Sequence, residues 1–356
     1  MVVRVIVLLL LYSTVASFAV SEFIRYPGLA SAKPGLGGED FFGDMVYGRA
    51  PQPFVARVLV PWLIRAAGAV TPPTARAQLE ESIRRSQTAD GKPSWLYRFP
   101  FEFIIAKNII LLFAIGFAFA LWWLARLTLD ASAPAVDVIP IVALFALPGL
   151  YGYASHLYDF PALCLFTLGL ALIAAHRFRF YIIVFAVATL NKETALLLTF
   201  VWAIVERRRL KPRHLVIGLV LQVAVWLLIR GGLMLAFRGN PGELIAFHLF
   251  RNAQVLTAPG NWFRFRAVTD WLALPVGFNV LYVLGFVGSL FALKGAPQFL
   301  KDAFWVAVPV IALTWLFGNV DEMRVYYELL PVVVLVLIGG LYRLMGYDRG
   351  QLTAGR

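Results

Sequence analysis

Apolar runs make up most of the chain from Phe101 to Tyr342, and most connections between them are short, several of them rich in arginine. A soluble domain must cover itself with polar groups, because its surface grows with its size. With 60% hydrophobic and 15% charged residues and a mean hydropathy of +0.77, these 356 residues cannot supply that cover. A bilayer removes the requirement, since about 20 apolar residues in a helix cross its hydrocarbon core. The expected class is all-α and polytopic. A net charge of +12 suits basic cytoplasmic loops and lipid phosphates. Nucleic acid is not an expected partner, because no run interleaves stacked aromatics with basic residues. Cys164 is the single cysteine, so no disulfide forms within the chain.

The first apolar run, 2–20, contains only Arg4 as a charge; the small residues near Ala16-Ser17-Phe18-Ala19 fit a cleaved signal peptide, its length favours a retained helix, and either way the chain after it is exported. The next run long enough to cross starts near Phe99, so 21–100 is expected as a large first extracytoplasmic loop. Within it, 54–70 spaces its apolar residues like an amphipathic interfacial helix, with Arg57 and Arg65 on the polar side. Crossings are expected at 101–124, 135–151 and 157–175. One crossing over 180–205 would export the basic cluster Glu206–Arg213. Two short helices forming a hairpin, 180–190 and 194–205, keep it cytoplasmic, with Asn191-Lys192-Glu193 at the turn. Crossings at 215–236, 271–293, 304–317 and 326–342 complete about ten helices in one transmembrane domain, 1–356. A second extracytoplasmic loop covers 237–269, and both termini are expected in the cytoplasm.

Charges at membrane depth cost at least about 2.5–3.5 kcal/mol each, so each needs a reason to be there. Lys107, Asp137, Asp159, Lys192, Glu193 and Arg230 are such charges. Asp137 is expected to reach water at a cytoplasmic end. Asp159, just after His156, reads either as a helix-start cap before Pro161 or as a substrate contact. Lys192 and Glu193 are expected either to pair with each other or with Lys107 as a structural ion pair or to act directly in catalysis, and holding the floor of a cavity fits both. Near the outer edge stand Glu39, Asp40, Asp44, Tyr47 and Arg57, and near the last turn Glu322, Arg324 and Tyr326. An arginine in such a place is either an interfacial anchor or a bidentate partner for lipid phosphate. The histidines show no metal-ligand spacing. No cofactor is called for, and a divalent metal stays open.

Three segments carry a resemblance: Pro53-Phe-Val-Ala-Arg57-Val-Leu-Val-Pro61-Trp62, Asn191-Lys192-Glu193-Thr194-Ala-Leu-Leu, and Asp321-Glu322-Met-Arg324-Val-Tyr326. With the acidic first loop and the helical body, most of the chain resembles the membrane-embedded GT-C glycosyltransferase superfamily. The resemblance implies a bacterial inner-membrane enzyme with a polyprenyl-phosphate sugar as donor and an envelope glycan, lipid or protein as acceptor. It implies Asp40 or Asp44 as the base and inversion at the sugar carbon. Arg324, with Arg57 or Arg230, would stabilise the departing lipid phosphate. The chain departs from larger relatives in having no C-terminal soluble domain, which leaves acceptor recognition unassigned. Other classes consistent with broken helices and intramembrane charge are a transporter or flippase of a lipid-linked or anionic substrate, or a non-catalytic partner in envelope polysaccharide assembly.

Overall fold

The structure is a computed structural model that describes residues 2–25, 41–87, 98–129, 131–151, 155–243, 245–269 and 272–346. It is mostly helical. Helix α1 (Val2–Arg25) precedes three shorter ones, α2 (Phe41–Val46), α3 (Leu59–Val70) and α4 (Pro73–Gln87). The body continues with α5 (Pro100–Thr128), α6 (Ala133–Ala146), α7 (Asp159–Ala174), α8 (Phe178–Asn191), α9 (Leu197–Glu206) and α10 (Pro212–Ala236). After α11 (Leu249–Thr257) come strands β1 (Phe265–Thr269) and β2 (Leu272–Pro275), then α12 (Val280–Ala292), α13 (Gln298–Phe304), α14 (Ala307–Phe317) and α15 (Leu330–Leu344). Five helical stretches are long and apolar enough to cross a membrane: Val3–Ile24, Pro100–Thr128, Ala133–Leu150, Pro212–Ala236 and Gln298–Phe317. The others expected to cross are shorter. The 16 residues of α7 reach only about 24 Å.

The side chains of α10 are arranged inside out. Its buried stripe is Gly218, Gln222, Arg230 and Leu233, whereas Val216, Ile217, Val220, Leu227 and Leu228 face outward. In water this pattern would expose the apolar face and bury the polar one. In lipid it is the favourable arrangement, with small and polar residues between helices and apolar ones outside. Gly218 is required by the packing, because a Cβ there would sit 2.3 Å from the Trp202 ring of α9.

Basic connections gather at one end of the body. His176 Nδ1 lies 2.7 Å from Glu206 Oε1, which joins the start of α8 to the end of α9. The chain therefore rises along α8, turns at Lys192 and returns along α9. Arg208 reaches Asp302 on α13 at 3.3 Å, and Arg343 donates to the Ala292 carbonyl at 2.8 Å. Tyr342 donates to the Ala135 carbonyl at 2.8 Å. Beside it, Arg4 forks onto both oxygens of Asp137, at 3.0 and 2.7 Å, and Trp122 Nε1 donates to the same carboxylate. Asp137 is thus satisfied by a protein partner and not by water alone. We expect cysteines placed at Arg179 and Arg207, both exposed, to react with an impermeant thiol reagent from the same side of the membrane, and Arg49→Cys from the opposite side. Native Cys164 is buried and gives a quiet background. Labelling of Arg179→Cys and Arg207→Cys from opposite sides would refute the hairpin.

Two expectations need correction. The fold contains a small antiparallel sheet, with Phe265 opposite Pro275 and Arg266 opposite Leu274. It takes residues assigned to the second loop and to the start of the 271–293 crossing. Trp262 packs edge-on against Phe278 at 4.9 Å, and Asn279 donates to the Arg264 carbonyl, closing the base of the hairpin. Asn279 also caps α12 by accepting from the Leu281 amide at 3.0 Å, so the helix starts only at Val280. The second correction concerns the interfacial helix, which begins at Leu59 and not at Phe54. Pro61 is tolerated in a first turn and would break a longer helix. Arg57 lies in the break before α3, buried to 8% exposure, and not on a polar face.

Candidate functional site

The break that buries Arg57 is held from three directions. The Val58 amide donates to the Leu190 carbonyl at the end of α8, and Arg230 Nη1 donates to the Ala56 carbonyl at 2.9 Å. Trp226 Nε1, one turn before Arg230, donates to the Glu193 carbonyl at 3.0 Å. The outcome is a three-membered ion cluster. Arg57 Nη2 lies 2.5 Å from Glu193 Oε1, and Arg230 Nη2 lies 3.4 Å from Glu193 Oε2. Lys192 points elsewhere, to Glu328 at 2.8 Å, and the Thr194 hydroxyl donates to the same Glu328 oxygen. The expected pairing of Lys192 and Glu193 with each other or with Lys107 is therefore corrected. Successive residues at the hairpin turn face opposite ways, and Lys107 is exposed on α5.

Tyr158 connects this cluster to a second one. The Arg57 guanidinium lies 4.1 Å from its ring centre, and Arg324 lies 5.9 Å from the same ring. Such placements favour cations through the ring quadrupole. Arg324 Nη1 also donates to the Tyr158 hydroxyl at 3.0 Å. Arg324 is paired to Glu322 at 2.7 Å and more loosely to Asp159 at 3.5 Å. Asp159 opens α7 and accepts from the His156 amide at 2.9 Å, so it serves as a turn-forming acceptor and an ion-pair partner at once. The His156 ring stacks on Tyr158 with an interplanar angle of 7°, and Phe54 and Phe41 enclose it at 5.4 and 5.8 Å.

Arg57, Lys192, Arg230 and Arg324 stand against Asp159, Glu193, Glu322 and Glu328, so the site is balanced in charge. It is not balanced in hydrogen bonds. Arg324 Nε and Glu328 Oε2 are buried without a partner among the described residues. One is a donor on a cation and the other an acceptor on an anion, and leaving either unpaired costs about 1–3 kcal/mol or more.

Not every residue singled out in the sequence joins the site. Glu39 and Asp40 lie outside the described residues. Asp44 sits on α2, 3.1 Å from Arg49 Nε, with a side chain 23% exposed. Phe41 of the same helix touches His156, so α2 borders the site while the Asp44 carboxylate bonds locally. Tyr47 belongs to a separate network, donating to Glu102 at 2.6 Å, where Arg76 also binds. Tyr326 is half-buried and makes no side-chain hydrogen bond among the described residues. Sequence reasoning missed Tyr158, the ring between two guanidinium groups, and Glu328. The signal for Glu328 was present, as an acid inside the last expected crossing. Among the described residues no group of three or more His, Cys, Asp or Glu is placed to hold a metal ion. Comparison with protein-family models, curated proteins and solved structures finds no match to this chain.

Proposed function

We propose that the chain is an integral-membrane glycosyltransferase of the bacterial cytoplasmic membrane, moving a sugar from a polyprenyl-phosphate donor to an extracytoplasmic glycan, lipid or protein. The observation that carries this reading is the convergence of Arg57, Arg230 and Arg324, from three remote segments, beside an α2 that directly follows Glu39 and Asp40. Guanidinium groups bind phosphate oxygens bidentately, and behind a ring such as Tyr158 they are partly shielded from water. The basic connections at the opposite end support a cytoplasmic reading of that end, with the cluster and α2 toward the outside.

In the proposed reaction an acceptor hydroxyl attacks the anomeric carbon. Asp40 or Asp44 takes the hydroxyl proton. The bond from that carbon to the phosphate oxygen breaks, and the electron pair leaves with the lipid phosphate, whose growing charge the arginines stabilise. One base and a good leaving group give inversion. The test is transfer of label from a panel of radiolabelled polyprenyl-phosphate sugars to envelope acceptors by purified protein in lipid. Arg324→Ala is expected to lower kcat/KM for the donor about 10- to 100-fold, the value of a hydrogen bond to a charged group. Arg324→Lys, which keeps the charge but not the fork, falls between.

One observation favours a second reading, a transporter or flippase of a lipid-linked or anionic substrate. The charges balance within the site, and most of them sit on helix breaks, at Lys192 and before α15, as in alternating-access sites. Movement of a polyprenyl-phosphate sugar across vesicles, with no label reaching any acceptor, would select that reading.

A further inference from the structure

A cavity lies at the basic end of the body, remote from the Arg57 cluster. It encloses about 430 Å³ between the end of α7, α8, α9 and the start of α10. That is within the range of small-molecule sites. Its mouth carries Arg177, Arg209, His176 and His214. The turn presenting them is built tightly, for His176 holds a left-handed backbone, with φ of 55°, which is uncommon for any residue but glycine.

The one carboxylate at this mouth is already engaged. Glu206 is bonded to His176 and lies 4.0 Å from Arg209. Arg177 has no carboxylate within ion-pair distance among the described residues. The mouth therefore keeps an excess of positive charge. Below it the cavity becomes apolar. The polar atoms of its floor satisfy one another, with the Tyr181 hydroxyl donating to Gln222 at 2.6 Å and Gln222 to the Gly218 carbonyl at 3.0 Å. The wall below the mouth is formed by Phe178, Trp202, and Ile217 and Leu221 of α10, with Tyr181 fully buried behind it. Ile217 and Leu221 are also on the exposed, apolar face of that helix, at 54% and 43%. The cavity thus opens both to water at a cationic mouth and to the lipid side along an apolar wall.

We propose that this cavity binds one anionic phosphate-bearing lipid, its phosphate between Arg177 and Arg209 and the start of its chain against Trp202 and Leu221. A cationic head site continuous with an apolar slot matches an amphiphile. A free anion would gain nothing from the slot, and a neutral lipid nothing from the mouth. The site requires only that the protein stand in a bilayer, and it is independent of the glycosyl-transfer reading.

Native mass spectrometry of the full chain in detergent, with equal amounts of phosphatidylglycerol and phosphatidylcholine, tests it. Wild type should retain one phosphatidylglycerol in preference to phosphatidylcholine. Arg177→Gln with Arg209→Gln should lose that preference by about tenfold or more, at about 1 kcal/mol for each cation near a phosphate. Arg177→Lys with Arg209→Lys should keep most of it. Leu221→Trp, which fills the slot and leaves every charge in place, should reduce retention of phosphatidylglycerol. Equal retention by wild type, the glutamine pair and Leu221→Trp would overturn the proposal. So would inorganic phosphate displacing the lipid at equal concentration, since the site would then recognise the anion alone.

Discussion

Asp40→Asn is expected to lower sugar transfer about 10²- to 10⁴-fold, the usual contribution of a positioned general base. Asparagine keeps the shape and loses the proton acceptor, so the loss should appear in kcat and leave donor binding near the wild-type value. Asp44→Asn is the necessary companion. Asp44, 23% exposed, pairs with the exposed Arg49, and pairs at the surface contribute about 0–1 kcal/mol. Its replacement should leave the protein folded, so any loss of transfer would report chemistry. The geometry makes the pair of variants informative. Asp44 bonds to Arg49 on its own segment, whereas the residue after Asp40, Phe41, packs against His156 in the site. We expect Asp40→Asn to have the larger effect. Full transfer by the double variant, with size-exclusion profiles unchanged, would remove the assigned base.

The helices were readable because the bilayer simplifies the question: a run of apolar residues must be helical when no water is present to satisfy its backbone. The turn at Lys192 was readable from charge alone, since a single crossing would have exported the cluster after Glu206. Residues that gather in the site were recognisable as misplaced charges, as with Arg230 on α10. Their partners were not. Sequence spacing could not say that Glu193 faces Arg57 while its neighbour Lys192 faces Glu328, because that depends on a non-helical turn between two short helices. Arg57 was assigned to a polar face by extending helical periodicity five residues too far, across a segment that Pro51, Pro53 and Pro61 keep out of the helix. The β-hairpin was hidden for another reason. Phe265–Thr269 and Leu272–Pro275 are too short to show alternation, and their pairing rests on Trp262, Phe278 and Asn279 at the base. Tyr158 was passed over because an aromatic in an apolar sequence is ordinary; its position between two guanidinium groups is a property of the fold.

Glu193→Ala should produce the largest loss of stability of any single substitution in the site. It removes one carboxylate from two arginines, Arg57 and Arg230, whose side chains are 9% and 6% exposed. Breaking a buried pair from one side leaves uncompensated charge and costs about 3–5 kcal/mol. Glu193 is itself 33% exposed, so water can reach the vacated space and the lower end, about 3 kcal/mol, is expected. Thermal unfolding in detergent measures it. Glu193→Gln should cost less, because an amide oxygen still accepts from one arginine. A double-mutant cycle separates the ion cluster from general damage. Arg57→Gln should cost about 1–3 kcal/mol less in the Glu193→Gln background than in wild type if the two groups act as a unit. The same variant bears on function. If Glu193 and a donor phosphate compete for Arg57 and Arg230, Glu193→Gln should bind polyprenyl phosphate more tightly while being less stable. If the cluster is scaffolding alone, stability falls and affinity falls or stays with it. Opposite movement of the two quantities is the signature of a carboxylate holding the place of a phosphate, and it is readable without knowing the sugar.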